Sequence, residues 1–278
     1  MKPAVLNVAA VQLRFRPTLR ENVANLVRWV ETLSGRGADV VLFPECATTG
    51  YAVDFSTISR TEVEAGLAAV ASAARQARCH VLVGSPTFEG RHRFNSLVVF
   101  DRRGRETFRY SKIHLTERDR ASFRPGNHLA LFKLDGVPCT AIICHERRYP
   151  ELVRLPVMMG ARIVFHPNAG LDLLKVSRRK RGGRDGIAVR AFENQVHYIF
   201  ANSVGPQGGG LWSAGDSKIV GANGEVLALA DHRRETAVRA SLDLAAAGRK
   251  YAREALEQPA FLRPYWRSML AACRRAGR

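Results

Sequence analysis

No window of this 278-residue chain comes near the roughly 18 consecutive apolar residues that a membrane-crossing helix needs. The apolar start, "MKPAVLNVAAVQL", is broken by Asn7 and runs into arginine without a small-residue cleavage site, so it does not read as a leader. The expected setting is cytoplasmic, with no membrane partner. Cysteine is scarce: five residues, at 46, 79, 139, 144 and 273, are too few and too scattered for a disulfide framework. No C-x-x-C pair and no H-x-x-x-H spacing offers a zinc site, so no metal is expected. The thiols should be reduced, which leaves one of them free to act as a nucleophile. No linker rich in Pro, Gly or Ser interrupts the chain, and 46% apolar residues suffice for one compact unit. Acids and lysine are also in short supply. Against 25 acidic residues stand 43 basic ones, only seven of them lysine, for a net charge of +18. A solvated basic surface is the plain reading, and attraction of anions is the functional one. The densest patch, "KVSRRKRGGR" (175–184), carries six basic residues in ten but no interleaved aromatics, so nucleic acid is not the expected partner.

What is present is a regular alternation of elements. "VLNVAAVQL" begins as a strand, and "TLRE" (18–21) is a capping box before Val23, Leu26, Val27, Val30 and Leu33 at helical spacing. "ADVVLFPE" (38–45) reads as a strand buried on both faces, "TEVE" (61–64) opens a second helix, and "HVLVGS" (80–85) is another buried strand. "NSLVVFD" and "ETFRY" form a hairpin, followed by a loop over 113–127 and a second hairpin from "LALFKL" through "DG" to "VPCTAIIC". A helix follows Pro150, kinked or shortened by Pro156, and leads to the strand "ARIVFHP". A helix over 185–196, the strand "YIFAN" and a run of later strands complete the pattern, before a basic, partly helical tail. The expected class is α/β, a mixed sheet with helices on its outer faces.

Three strand ends carry a reactive group: Glu45 after "VVLFP", Lys112 after "FRYS" and Cys144 after "TAII". Buried strand ends give a rigid scaffold from which the backbone turns outward, and α/β proteins place sites there. A thiol is a good nucleophile near neutral pH once a base takes its proton. A carboxylate raised by burial serves as that base, and a lysine with a backbone N–H stabilises the negative charge built at an attacked carbonyl or nitrile carbon. Taken singly, Cys144 reads as a core thiol, Glu45 as a loop carboxylate and Lys112 as a surface lysine. Spacing alone leads no further than a thiol hydrolase.

The blocks "VVLFPECATTGY", "YSKIHL" with "FRPG", and "CHERRYPELVRLPVMMGARIVFHPNAG" resemble the three signature blocks of the nitrilase superfamily of carbon–nitrogen hydrolases. "VRAFENQVHYIFANSVG" and "GDSKIVGANGEVLA" resemble its downstream blocks, in order, so the likeness covers residues 4–243. It implies a four-layer α-β-β-α sandwich and a Glu–Lys–Cys catalytic centre at Glu45, Lys112 and Cys144, with no metal or organic cofactor. It implies a catalytic domain over 1–244, a C-terminal arm over 245–278 packed on another subunit, and a homodimer or larger homo-oligomer. Lys112 and the backbone N–H of His145 would hold the oxyanion. Many relatives carry a second glutamate in the loop before F-x-P-G; here Asp119 falls at that position and Glu117 two residues earlier, and either could serve. After the nucleophile, amidase-type members usually have tyrosine and an acid and true nitrilases tryptophan and glutamate; His145 and Glu146 here argue against a nitrile substrate. Arg147 and Arg148 resemble arginines that grip a carboxylate in carbamoyl-amino-acid hydrolases, although Arg148 and Glu151 also match positions that hold local structure as an ion pair across the superfamily, and Asn168 lies at the "HPNAG" strand end. The expected function is a thiol amidohydrolase for a linear amide or N-carbamoyl compound, and the arginines leave room for an anionic substrate. The alternatives are a nitrilase and a non-catalytic protein that binds through its basic surface.

Overall fold

The computed structural model describes residues 4–179 and 186–276, so the distal half of the basic run lies outside the described residues. In chain order the first half runs β1 (Val5–Gln12), α1 (Leu19–Ser34), β2 (Val40–Leu42), α2 (Arg60–Ala77), β3 (His80–Glu89), β4 (His92–Phe100), β5 (Glu106–Ser111), α3 (Glu117–Arg120), β6 (Phe132–Leu134) and β7 (Val137–Ala141). The second half runs α4 (Glu151–Met158), β8 (Ile163–Asn168), β9 (Asp172–Leu173), α5 (Leu174–Arg179), α6 (Ile187–Asn194), β10 (His197–Asn202), β11 (Val204–Gly208), β12 (Leu211–Ala214), β13 (Lys218–Val220), β14 (Val226–Leu229), β15 (Thr236–Asp243), α7 (Lys250–Glu257) and α8 (Arg263–Ala276).

Two six-stranded sheets result, in the orders β15-β1-β2-β3-β4-β5 and β14-β13-β10-β8-β7-β6. β1, β2 and β3 are parallel because α1 and α2 carry the crossovers. The alternation along β1 shows how the layers form. Leu6, Val8 and Ala10 face a core between the two sheets, where they meet the layer of Ala141, Ile163, Phe165 and Ile199. Ala9, Val11 and Leu13 face the opposite way, into a core closed by Leu26, Val30, Val63 and Val70 of α1 and α2. On the far side of the second sheet, Val164, Tyr198 and Phe200 pack under α4, α6, α7 and α8. The product is a four-layer α-β-β-α sandwich, as expected. No helix among the described residues is long and apolar enough to cross a membrane.

The Thr18–Glu21 capping box forms as read: Thr18 Oγ1 accepts from the Glu21 N–H at 3.2 Å, and Glu21 Oε2 accepts from the Thr18 N–H at 3.0 Å. The start of α2 needs correcting. Ser59, not Thr61, is the cap, with its hydroxyl accepting from the Glu62 N–H; this hydroxyl two residues upstream has Glu62 three positions past it, as Thr61 has Glu64. The run 38–45 pairs only over Val40–Leu42, because the chain leaves the sheet at Phe43–Pro44. The "DG" turn takes left-handed φ at both Asp135 and Gly136, as a two-residue hairpin demands. α4 stops two residues beyond Pro156. The loop 113–127 holds a helical turn, α3, that spacing did not reveal. The tail folds back on its own chain: Ala252 and Leu270 are buried beside α4 and α6, whereas Phe261 and Tyr265 remain 72% and 69% exposed.

Candidate active site

Glu45 leaves β2 and Lys112 leaves β5 of the first sheet, and Cys144 leaves β7 of the second. Two glycines let the chain close around them. A Cβ on Gly84 of β3 would lie 2.2 Å from the Pro44 carbonyl oxygen and 2.7 Å from Glu45 Cα. A Cβ on Gly126 would lie 2.1 Å from the Ser111 carbonyl oxygen, and the Gly126 N–H donates to the Lys112 carbonyl at 2.9 Å.

Glu45 and Lys112 are completely buried, and Lys112 Nζ lies 2.7 Å from Glu45 Oε1 and 2.8 Å from Asp119 Oδ2. The Asn95 amide donates to Glu45 Oε1 at 2.7 Å, and the Ala169 N–H donates to Glu45 Oε2 at 3.0 Å. Asp119 accepts from the Tyr51 hydroxyl at 2.7 Å and from the Thr116 N–H at 3.0 Å. Two carboxylates therefore share one ammonium, and their environments part them. Burial raises Glu45, the charge of Asp119 adds to that, and Lys112 and Asn95 only partly offset it. For Asp119 burial acts in the same direction but is outweighed by Lys112, Tyr51 and Thr116, so its carboxyl is held below the usual range. Where two neighbouring carboxyls are pushed apart, the raised one is the natural proton acceptor. The ammonium of Lys112 loses from burial but gains more from Glu45, Cys144 and Asp119, and stays charged.

Cys144 is partly exposed and sits at φ 50°, in the left-handed region, at the head of a tight turn over Cys144–Arg148. Holding a non-glycine residue there costs about 1–3 kcal/mol. Its thiol is pushed up to about 12, by burial and by the nearby Glu45, against the pull of Lys112 and Arg147. The resting nucleophile is thus a neutral thiol next to a raised carboxylate. Two buried groups hold its backbone. His166 Nε2 lies 3.1 Å from the Cys144 carbonyl oxygen, and the Tyr198 hydroxyl lies 2.9 Å from His166 Nδ1. A carbonyl only accepts, so Nε2 carries the hydrogen; burial and the nearby Arg147 push the imidazole down to about 3 and keep it neutral.

Glu146 is the second brace. Its Oε2 accepts from the Ile143 N–H at 2.7 Å, one residue before the nucleophile. Its Oε1 accepts from the N–H groups of Ile113 at 2.6 Å and His114 at 3.2 Å, the residues after Lys112. Tyr110 completes the set with its hydroxyl, 2.9 Å from Oε1. One carboxylate therefore ties the lysine strand of the first sheet to the cysteine turn of the second. Burial pushes it up to about 7, while the three backbone donors favour its ionised form.

Of the residues singled out from sequence, Glu45, Lys112, Asp119 and Cys144 come together. Glu117 is exposed at the start of α3, whereas Asp119, in the same turn, is 1% exposed. His145 borders the site, its ring edge-on to Tyr149 and its basicity lowered by burial and by Lys112. The charge of Arg147 reaches Cys144; Arg148 is exposed. Asn168 donates to Asn202 Oδ1 at 2.8 Å, and its own buried Oδ1 has no hydrogen-bond partner among the described residues. Tyr51, Asn95, Glu146 and His166 were not picked out as site residues. Only Asn95 carried a signal, an amide at the threshold of the buried run "SLVVF".

The sequence pattern of the carbon–nitrogen hydrolase family matches residues 7–251. The chain is 30% identical over 230 residues to a 2-oxoglutaramate amidase of Bacillus subtilis, covering 81% of this chain and 85% of that protein. It is 28% identical over 249 residues to a nitrilase of Pyrococcus abyssi, covering 86% and 90%. Among solved structures it resembles a variant of the amidase from Nesterenkonia sp. AN1, which carries the acetamide moiety of fluoroacetamide added covalently at its active-site cysteine. That likeness has a TM-score of 0.81 at 24% identity over 96% of this chain and 99% of the other, and it speaks for the fold.

Proposed function

Because the chain belongs to the carbon–nitrogen hydrolase family, we propose that it is a thiol-dependent amidohydrolase acting on a linear amide or N-carbamoyl compound. The observation that carries this reading is the shared ammonium of Lys112, which holds two carboxylates of opposite tuning, the raised one acting on the neutral thiol of Cys144. Glu45 takes the thiol proton as the sulfur attacks the carbonyl carbon. The C=O bond opens to an oxyanion, which Lys112 and the backbone N–H of His145 stabilise. The oxyanion collapses, the C–N bond breaks, and Glu45 returns the proton to the departing ammonia. A water, deprotonated by Glu45, then attacks the thioester, and the sulfur leaves and regains the proton. In the carbamoyl case the released carbamic acid decays to carbon dioxide and the amine. Asp119 keeps Lys112 charged and aimed. Arg147 and Arg148, with Asn168, form the substrate-binding side and favour a carboxylate-bearing substrate.

The amidase among the relatives supports an amide substrate, and the relative named nitrilase favours a second reading, hydrolysis of a nitrile to an acid. Five free cysteines suit the reducing cytoplasm. We assign residues 1–244 to the catalytic domain and the exposed aromatic face of 245–278 to contact with a second copy of the chain. The test is ammonia release from matched amides, N-carbamoyl amino acids, N-carbamoyl amines and nitriles, set against Cys144→Ala. Turnover of amides or carbamoyl compounds that vanishes in a folded Cys144→Ala protein is expected. Turnover that survives the substitution would sink the reading, and turnover of nitriles alone would replace it.

A further inference from the structure

A cavity of about 460 Å³ opens on the far side of the turn that carries Asp119, between the tip of the β3–β4 hairpin and the chain leaving α3. Arg91, His92 and Arg93 line it from the hairpin, and Arg120 and Arg124 from the turn, with Phe88 at its wall. No acidic residue lines it among the described residues. None of the four arginines forms an ion pair among the described residues, although the surrounding acids are near. Asp54 feels the charge of Arg93 but caps its own turn at Ser56, and Glu64 is held by Arg60 at 2.6 Å. Arg60, Arg102, Arg105 and Arg109, also in the first half of the chain, do find a carboxylate.

The wall is organised rather than loose. The Arg93 guanidinium lies 5.4 Å from the centre of the Phe88 ring, and its buried Nε has no hydrogen-bond partner among the described residues. The Arg124 N–H donates to the Arg93 carbonyl at 2.8 Å, which joins hairpin to turn. The Ser122 and Phe123 N–H groups donate to the Asp119 carbonyl at 2.9 and 2.8 Å, so the turn is fixed from within. A buried donor without an acceptor, among four guanidinium forks without a counter-charge, is unfavourable unless an anion supplies both.

We propose that this cavity is a binding site for a small phosphate-bearing anion with two or more negative charges. Guanidinium groups match phosphate oxygens with paired N–H donors, and four of them exceed what a single carboxylate neutralises. The site is separate from the catalytic lysine and does not depend on the chemistry proposed there. The proposal goes to test by isothermal titration calorimetry of the whole protein with inorganic diphosphate at fixed ionic strength. Citrate and a short single-stranded oligonucleotide serve as comparison ligands. Saturable binding of one diphosphate per chain is expected. The dissociation constant should rise at least about tenfold in Arg93→Gln and in Arg124→Gln, where charge-assisted hydrogen bonds are lost. It should stay unchanged in Arg20→Gln, which removes an exposed charge on α1. Circular dichroism of each variant shows that it is folded. Equal losses in all three variants would mean attraction to the basic surface as a whole, and would overturn the site. Citrate binding as tightly as diphosphate would overturn the phosphate assignment, as would an oligonucleotide that diphosphate fails to displace.

Discussion

Asp119 Oδ2 stands 2.8 Å from the ammonium of Lys112, although aspartate is one methylene shorter than the glutamate the family pattern led us to expect. The reach is made up by α3, whose first turn carries the residue inward and whose cap, Thr116, bonds it at two points. The charge of Asp119 also acts on Glu45 beyond the lysine, raising its proton affinity. The acid limb of kcat/KM should therefore lie above the pH of an ordinary carboxylate, since Glu45 must be ionised to accept the thiol proton. Asp119→Asn removes a charge that raises Glu45, so the limb should move down by roughly one pH unit, while kcat falls about 10²-fold as Lys112 loses its second anchor. Asn95→Leu removes a hydrogen bond that favours the ionised form, so its limb should move up. A pH–rate profile in which both variants move the same way would contradict the assignment of Glu45 as base.

Glu146→Gln tests the brace between the sheets. The amide offers one oxygen and a donor where three backbone N–H groups and a hydroxyl seek acceptors, which leaves buried donors unpaired at about 1–3 kcal/mol. With lysine and cysteine no longer fixed to one another, kcat should drop about 10²-fold, the effect of a shift on the order of 1 Å. KM should change little, because Glu146 lies behind the site. Stopped assays over a substrate range separate the two, and an altered KM at unchanged kcat would refute a positioning role.

The left-handed backbone of Cys144 sets stability against chemistry. Both Cys144→Ala and Cys144→Gly should be inactive, but glycine tolerates φ 50° and alanine does not. The glycine variant should unfold at higher denaturant, with about 1 kcal/mol more stability than the alanine variant. Equal midpoints in urea would mean that the turn relaxes once the thiol is gone.

Phe261 and Tyr265 lie on the exposed side of the tail, whose other side is tied into the core by Ala252 and Leu270. Removing the whole tail would uncover that core, so point substitutions are the cleaner probe. Phe261→Asp with Tyr265→Asp should lower the mass measured by light scattering while the melting curve keeps its shape. An unchanged assembly would assign the aromatic face to some other purpose.

Much of this was legible in the chain, for definite reasons. β1, α1 and the two-residue turn at Asp135–Gly136 depend on local pattern and capping, and both are written in neighbouring residues. Glu45, Lys112 and Cys144 could be found because strand ends are visible and their flanking blocks are distinctive. Tyr51 and His166 could not, because nothing local marks a phenol as facing a carboxylate 68 residues on or an imidazole as bonding the Cys144 carbonyl; only the folded chain brings them there. The choice between Asp119 and Glu117 also needed α3, a helical turn too short to leave a periodic trace. The Ser59 cap was missed because two hydroxyls compete within three positions.

A base and an ammonium on one sheet, with the nucleophile on the other, make the centre a gauge of how the two sheets lie against each other. Their interface is broad and apolar, which resists separation better than a small slide, and beside the site the bonds of Glu146 and the Ala169 N–H to Glu45 cross it. Glu146 is the pin that stops the slide. Heat or mild denaturant should therefore silence the protein while both sheets, and nearly all of their buried surface, are still intact.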